Sequence, residues 1–239
     1  MHRFYVLPQN ISNNTVVFAP EQGRQIKNVL RLRAGDTVAA FDGSGQEFCV
    51  SLHFNGSQTT GNIISTCYPK TEPPVKITLV QGLPKGEKVE FILQKCTEIG
   101  ISAFIFVESV RSVAQIPQER LKGRMERWRA IAKEAAEQSG RVCLPTVNGV
   151  SRFANALENV SGAGLIAWEE ERHRTLPDAL ERINPAGEVT LFIGPEGGWT
   201  PDEVSQAEAA GISSVSLGSR ILRTETAAIV ASALAIYGR

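Results

Sequence analysis

The chain has 239 residues, 42% of them apolar, and its 25 basic and 25 acidic side chains leave no net charge. That size and apolar content fit one large core or two modest ones and exclude a disordered or fibrous protein. The longest apolar stretch, Ala227 to Tyr237, falls well short of the roughly 20 residues that cross a bilayer, and the polar start MHRFYVLPQN does not read as a leader, so a cytoplasmic location is expected.

Cys49, Cys67, Cys96 and Cys143 form no CxxC pair, and His2, His53 and His173 form no HExxH pair, so neither a zinc knuckle, a redox dithiol nor a metal site is signalled. The neutral balance hides segregation. Residues 1–35 carry Arg3, Arg24, Lys27, Arg31 and Arg33 against Glu21 alone, and residues 111–141 hold eight basic side chains, from Arg111 to Arg141, against four acidic ones. Two basic segments on a neutral chain point to a local polyanion-facing surface, although either alone reads equally as a solvated helix face.

From Arg3 to Tyr68, short β-rich runs (RFYVL, TVVFA, TVAAF, EFCVSLHF, TGNIISTCY) alternate with turn residues, DGSG at 42–45 serving as a hairpin loop. This predicts a small β-barrel or sandwich over residues 1–70. One helix, 20–32, interrupts it, with Ile26, Val29 and Leu30 on one face and Arg24, Lys27 and Arg31 as an outward basic stripe. Pro69, Pro73 and Pro74 mark a linker.

Residues 75–239 change pattern. Strands are expected at 75–82, 103–107, 145–147, 163–168, 189–193 and 214–217, alternating with helices at 86–99, 117–139, 151–159, 175–183, 201–210 and 224–236. Such alternation is the signature of an α/β domain with a mostly parallel sheet covered by helices. Thr200-Pro201-Asp202-Glu203 is a helix start with an N-cap, a first-position proline and a capping box, and Gly211 ends that helix.

The chemistry is placed where VTLFI (189–193) runs into GPEGGW (194–199). A glycine turn after a buried strand lets a ligand touch bare backbone, though the same unit also serves as a plain corner of an α/β fold. The turn contains Glu196 and no lysine, and lacks the GxxxxGK[ST] and GxGxxG spacings of a phosphate cradle. A second loop, Leu217 to Glu225, follows the next strand and opens at the same carboxyl edge, mixing Leu217, Ile221 and Leu222 with Arg220, Arg223 and Glu225. The closing helix TETAAIVASALAIYG is apolar nearly all round and fits a core helix or a subunit interface.

Ordered blocks along the whole chain carry a resemblance: HRFYV (2–6), IKNVLRLRAGD (26–36), FDGSGQEF (41–48), KGEKVEFILQKCTEIG (85–100), RSVAQ (111–115), EAAEQSGR (134–141), IGPEGGWTPDE (193–203) and LGSRILRTETA (217–227). In these the sequence resembles the SPOUT-type methyltransferases that modify N3 of a uridine in small-subunit (16S) ribosomal RNA.

The resemblance implies an N-terminal PUA-like β-barrel that binds RNA, a C-terminal α/β domain with a trefoil knot, and a homodimer with the site at the subunit interface. It implies S-adenosylmethionine as cofactor, held by Gly194, Pro195, Glu196, Gly197, Gly198, Leu217, Gly218, Ile221 and Leu222. A sulfonium cation without phosphate suits a turn bearing Glu196 and no lysine. Glu225 is the expected proton acceptor from N3, Arg223 the group that stabilises charge on the uracil oxygens, and Arg141 a phosphate anchor reaching across from a second subunit. Arg3, Arg24, Lys27, Arg31 and Arg111 are the expected RNA contacts. Two rivals are a knotted methyltransferase acting on transfer RNA and a catalytically silent ribosome-assembly factor; the N-terminal blocks weigh against the first and the intact glycine turn against the second.

Overall fold

The computed structural model describes residues 1–184 and 186–238. The chain divides into two compact units, Met1–Glu72 with Ala136–Leu144, and Pro73–Ala135 with the stretch from Pro145 onward. Among the described residues no helix is long and apolar enough to cross a membrane.

In the first unit, strands β1 (Arg3–Tyr5), β2 (Ile11–Ser12) and β3 (Thr15–Val17) precede helix α1 (Pro20–Arg24), and β4 (Thr37–Phe41), β5 (Glu47–Asn55) and β6 (Gln58–Cys67) follow it. They form one sheet in the order β1-β4-β5-β6-β3-β2, parallel only between β1 and β4. Every second residue of β5 points inward, so Phe48, Val50 and Leu52 join Phe4, Val16, Ile26 and Val38 in a separate core. Asn13 and Asn14, at φ 47° and 60°, make the tight β2–β3 turn that asparagine tolerates. The sheet ends at β1 and β2, so it is an open half-barrel and the closed barrel expected from the pattern is replaced by this simpler arrangement.

The expected 20–32 helix is also corrected. α1 stops at Arg24 and gives way to a wide π turn over Gln25–Val29, closed by the Leu30 N–H on the Gln25 carbonyl at 2.9 Å. Five-residue spacing breaks the 3.6 register. Ile26 stays buried, but Val29 is 71% exposed and Arg31 leaves helical geometry at φ 55°. The Lys27 ammonium donates to the Gly56 carbonyl at 2.9 Å and lies 4.9 Å from the Phe54 ring centroid, so it serves the β5–β6 hairpin. The stripe reduces to Arg24 and Arg31, both exposed.

Residues 136–144, expected with the second part, pack with the first. Arg3 pairs with Glu47 and donates to the carbonyls of Gly140 (3.0 Å) and Arg141 (3.2 Å), while the Tyr5 N–H donates to Glu137 at 2.8 Å. Arg141 is nearly buried and meets Glu72 at 2.7 Å.

The second unit alternates as expected through β7 (Lys76–Gly82), α2 (Lys88–Ile99), β8 (Ala103–Glu108), α3 (Gln118–Ser139), β9 (Thr146–Arg152), α4 (Phe153–Glu158), β10 (Ala163–Ala167), α5 (Leu176–Leu180), β11 (Glu188–Ile193), α6 (Pro201–Ala209), β12 (Ser213–Val215) and α7 (Thr224–Tyr237). All pairings in its sheet, β12-β10-β11-β7-β8-β9, are parallel. The one large boundary difference is β9, which extends to Arg152 and takes the first residues assigned to the following helix.

Period-two alternation explains why helices cover both faces. In β7 and β11, Ile77, Leu79, Val189, Leu191 and Ile193 face α2, α3 and α7 through Ile92, Leu93, Trp128, Ala228 and Ala231. Their neighbours Val80 and Phe192 face the other way, onto Phe153, Trp199, Val204 and Ala207 of the α4 and α6 side. Each such buried side chain contributes about 1.5–3 kcal/mol by leaving water.

Because β11 is inserted between β10 and β7, the carboxyl ends of β10, β11 and β12 lie side by side, at the switch in strand order where α/β folds bind ligands. The loop after β10 grips the end of β12. The Trp168 N–H donates to the Val215 carbonyl (3.0 Å), the Ser216 N–H to Arg174 (2.8 Å), and the Leu176 N–H to Ser216 (3.0 Å).

Candidate active site

The site is built on the turn after β11. Gly198 takes φ 67°, a left-handed conformation, and donates its N–H to the Pro195 carbonyl at 3.0 Å. Next to it, Gly82 of β7 leaves the turn its space, since a Cβ there would lie 2.6 Å from the Pro195 nitrogen. The fully buried Gln81 amide donates to the Gly194 carbonyl (3.2 Å) and to the Thr224 hydroxyl (2.8 Å), which itself donates to Gly194.

The far side of the turn is fixed by the expected capping box: the Thr200 hydroxyl accepts from the Glu203 N–H at 3.2 Å and Glu203 accepts from the Thr200 N–H at 2.9 Å. The other Glu203 oxygen accepts from the Val110 N–H at 2.9 Å. Arg111 then donates to the carbonyls of Gly197 (2.9 Å) and Trp199 (3.2 Å). Arg111, one of the residues expected to contact RNA, thus braces the glycine turn.

These elements enclose a cavity of about 450 Å³. Gly194, Pro195, Glu196, Gly197 and Gly198 form one wall and Leu217, Gly218, Ile221, Leu222 and Arg223 a second, so the structure brings together all nine residues expected around a cofactor. Ile221 does so at the rim, 78% exposed. Arg3 and Arg141 belong to the first unit, Arg3 paired with Glu47 and donating to backbone carbonyls and Arg141 paired with Glu72.

Two contributions escape the sequence reading. The third wall is the segment after β10, with Ala167, Trp168, Glu169 and Arg172. Asking the carboxyl-edge question of every strand would have found it. A Cβ on Gly198 would come 2.4 Å from Glu169 Oε1, so behind that glycine stands a carboxylate, and the open space lies elsewhere.

The second is Lys88, at the first position of α2. Its Nζ lies 2.9 Å from Glu196 Oε1 and 3.4 Å from Glu225 Oε2. The turn thus has a lysine after all, supplied from more than a hundred residues upstream, and no local spacing signals it. The hydrogen bond that Lys88 donates to Glu196 raises the Lys88 pKa against the opposing pull of burial, with the charges of Glu196 and Glu225 adding to the rise. Burial pushes the Glu196 carboxyl up, but hydrogen bonds from Lys88, from its own backbone and from the Lys85 N–H outweigh it and hold the pKa low. Lys88 and Glu196 line the cavity, whereas Glu225 is outside the lining and meets Lys88 through Oε2.

Residues 71–236 match the family described as the RNA methyltransferase domain. The chain belongs to this RNA methyltransferase family. It is 37% identical over 235 residues to a ribosomal RNA small subunit methyltransferase E of Synechocystis sp., spanning 97% of this chain and 76% of that one. The Bacillus subtilis protein of the same name is 36% identical over 224 residues, 91% of this chain and 88% of that one. Among solved structures, a ribosomal RNA small subunit methyltransferase E from Neisseria gonorrhoeae bound to S-adenosyl methionine superposes with a TM-score of 0.87 at 35% identity, covering 98% of this chain and 95% of that one. The family match takes in the blocks from KGEKVEFILQKCTEIG to LGSRILRTETA.

Proposed function

We propose that this chain transfers a methyl group from S-adenosylmethionine to N3 of a uridine in 16S ribosomal RNA. The observation that carries the reading is the cavity at the ends of β10, β11 and β12, walled by backbone turns and small apolar side chains, in a chain that shares its fold with a relative bound to that cofactor. The residues fit the group: Ile193, Leu217 and Leu222 offer apolar surface to a flat ring, the turns offer backbone, and Glu196 offers negative charge. When bound, S-adenosylmethionine supplies an electrophilic methyl on a sulfonium centre.

The protein's part is to hold an unpaired uracil in line with that methyl and to manage the N3 proton. Arg223, exposed on the cavity wall, is placed to steady charge on the uracil oxygens. Glu225, paired with Lys88 through Oε2 at 3.4 Å, is the carboxylate assigned to accept the N3 proton.

The first unit is a PUA-like RNA-binding module in this reading, and Arg24 and Arg31 its phosphate contacts. The second unit carries a trefoil knot, supported by the way both ends of the 168–176 loop bond to Val215 and Ser216 before the chain turns back to Gly194 through Thr224. The working unit is a homodimer in the cytoplasm. In a single chain α7 leaves Val230 and Ala233 only half covered and Tyr237 72% exposed, an apolar face for a second copy.

The test incubates purified protein with methyl-labelled S-adenosylmethionine and, separately, 16S ribosomal RNA, assembled small subunits and transfer RNA, then maps the label by nuclease digestion and mass spectrometry. Label in 3-methyluridine of 16S ribosomal RNA is the expected result. Label confined to transfer RNA, or none with cofactor bound, overturns it.

A further inference from the structure

Lys88 is out of place by local rules. The first turn of a helix carries the positive end of the backbone dipole and favours acidic side chains, yet α2 opens on a lysine. Its surroundings explain it. The ammonium is held between Glu196, from the turn after β11, and Glu225, from the first turn of α7, at 2.9 and 3.4 Å. Three elements far apart in sequence thus meet at one cluster, Lys88 and Glu196 on the cavity wall and Glu225 against Lys88 outside the lining, two carboxylates against one ammonium, with a net charge of one negative unit.

The other charged groups lining the cavity are Glu169, Arg172, Arg220 and Arg223, which together carry two positive units. Against that positive lining, the Lys88 cluster and Glu169 are the sources of negative potential. The Lys88 cluster is also partly withdrawn from water, with side-chain exposures of 33% for Lys88 and Glu196 and 17% for Glu225, so its field is less screened than that of surface charges.

We propose that Lys88, Glu196 and Glu225 form a charge gauge that discriminates the sulfonium cofactor from its thioether product. This rests on the cofactor reading given above. In methyl transfer the N3 lone pair forms the new N–C bond, the C–S bond breaks with both electrons staying on sulfur, and the N3 proton leaves to a carboxylate or to water. The sulfur goes from one positive charge to none, while the rest of the ligand is unchanged. A cluster with one excess negative charge favours the sulfonium reactant over the neutral product and helps the product leave. Without Lys88 the patch would carry two negative charges and hold the sulfonium too strongly; without either glutamate it would carry none.

The closing experiment is calorimetry of S-adenosylmethionine and S-adenosylhomocysteine with wild type, Lys88→Met, Lys88→Arg, Glu196→Gln and Glu225→Gln, read as the ratio of the two dissociation constants. The ratio should favour the sulfonium ligand about three- to tenfold more in Lys88→Met than in wild type, and about three- to tenfold less in each glutamine variant. Lys88→Arg should match wild type, and added salt should shrink every difference.

A ratio that is constant across the variants, or that moves in the same direction for lysine and glutamate substitutions, overturns the gauge and leaves the three residues as a structural clasp. If Lys88→Met does not fold, the two glutamine variants against Lys88→Arg decide the same question. Failure of the wild type to bind either ligand would instead sink the cofactor reading itself.

Discussion

The Thr224 hydroxyl donates to the Gly194 carbonyl at 2.5 Å, fastening the first residue of α7 to the first residue of the glycine turn. Both ligand-facing loops thus hang on one hydrogen bond, which the Gln81 amide reinforces from beneath at 2.8 Å. Thr224→Val keeps the shape but strips both partners of this buried hydroxyl, which should cost about 1–3 kcal/mol in urea unfolding and weaken S-adenosylmethionine binding at least several-fold. Thr224→Ser should restore both. A valine variant with an unchanged urea midpoint would show that the bond is dispensable.

Ala231 and Ala233 are two residues apart on α7 and should fail in different ways. Ala231 is 1% exposed in the core against α2 and the sheet, so Ala231→Glu buries a charge without a partner and should unfold the second unit. Ala233 is half-exposed, so Ala233→Glu should leave the fold intact and yield monomers by light scattering if this face joins two copies. A folded Ala233→Glu protein with wild-type mass in solution would exclude this face as the dimer contact.

Arg24 and Arg31, like Arg33, are exposed cations of the N-terminal basic segment, and they flank the π turn. Replacing both with glutamine should weaken binding to 16S ribosomal RNA and reduce the slope of log affinity against log salt by about two, one per phosphate contact. Lys27→Gln should instead loosen the β5–β6 hairpin, because its ammonium is engaged with Gly56 and Phe54. An unchanged salt slope in the double variant would move the RNA path away from this segment.

Glu171 gives the loop after β10 a pH dependence. Its carboxyl is held down at about 2 by the His173 N–H, then by the Ser214 hydroxyl and, with burial opposing, by the Arg174 and Arg172 backbone. Since the folded value lies below the ordinary 4.5, its contribution to stability is present above that value and is lost as pH falls towards 2. Thermal melts from neutral pH down to about 3 should therefore decline more steeply for wild type than for Glu171→Gln. Parallel curves would show that the loop does not depend on this carboxylate.

The parts of the site that were legible in the sequence are those that local chemistry dictates. A strand followed by GPEGGW, and a capping box at Thr200, fix the turn within a dozen residues, and the structure places them as the pattern requires. Lys88 and Glu169 were not legible, because their partners arrive through strand order: β11 is inserted between β10 and β7, and nothing in KGEK or WEEE encodes which strand will be the neighbour. The partners of the basic segments were not legible for a related reason. Arg3, Lys27, Arg111 and Arg141 are each engaged by a carboxylate, a ring or a backbone carbonyl that only tertiary structure supplies. The π turn at Gln25–Val29 defeats a 3.6-residue wheel outright.

The cavity takes its walls from Lys88, from the segment after β10, from the glycine turn and from residues as late as Ala227. A chain emerging from the ribosome at about 5–20 residues per second completes the β-rich first sheet long before the last wall exists. A nascent or prematurely ended chain therefore presents its N-terminal basic surface without a place to hold a methyl donor. If the first unit holds RNA as proposed, such a fragment would occupy RNA without modifying it, and only a chain made through Ala227 could do both.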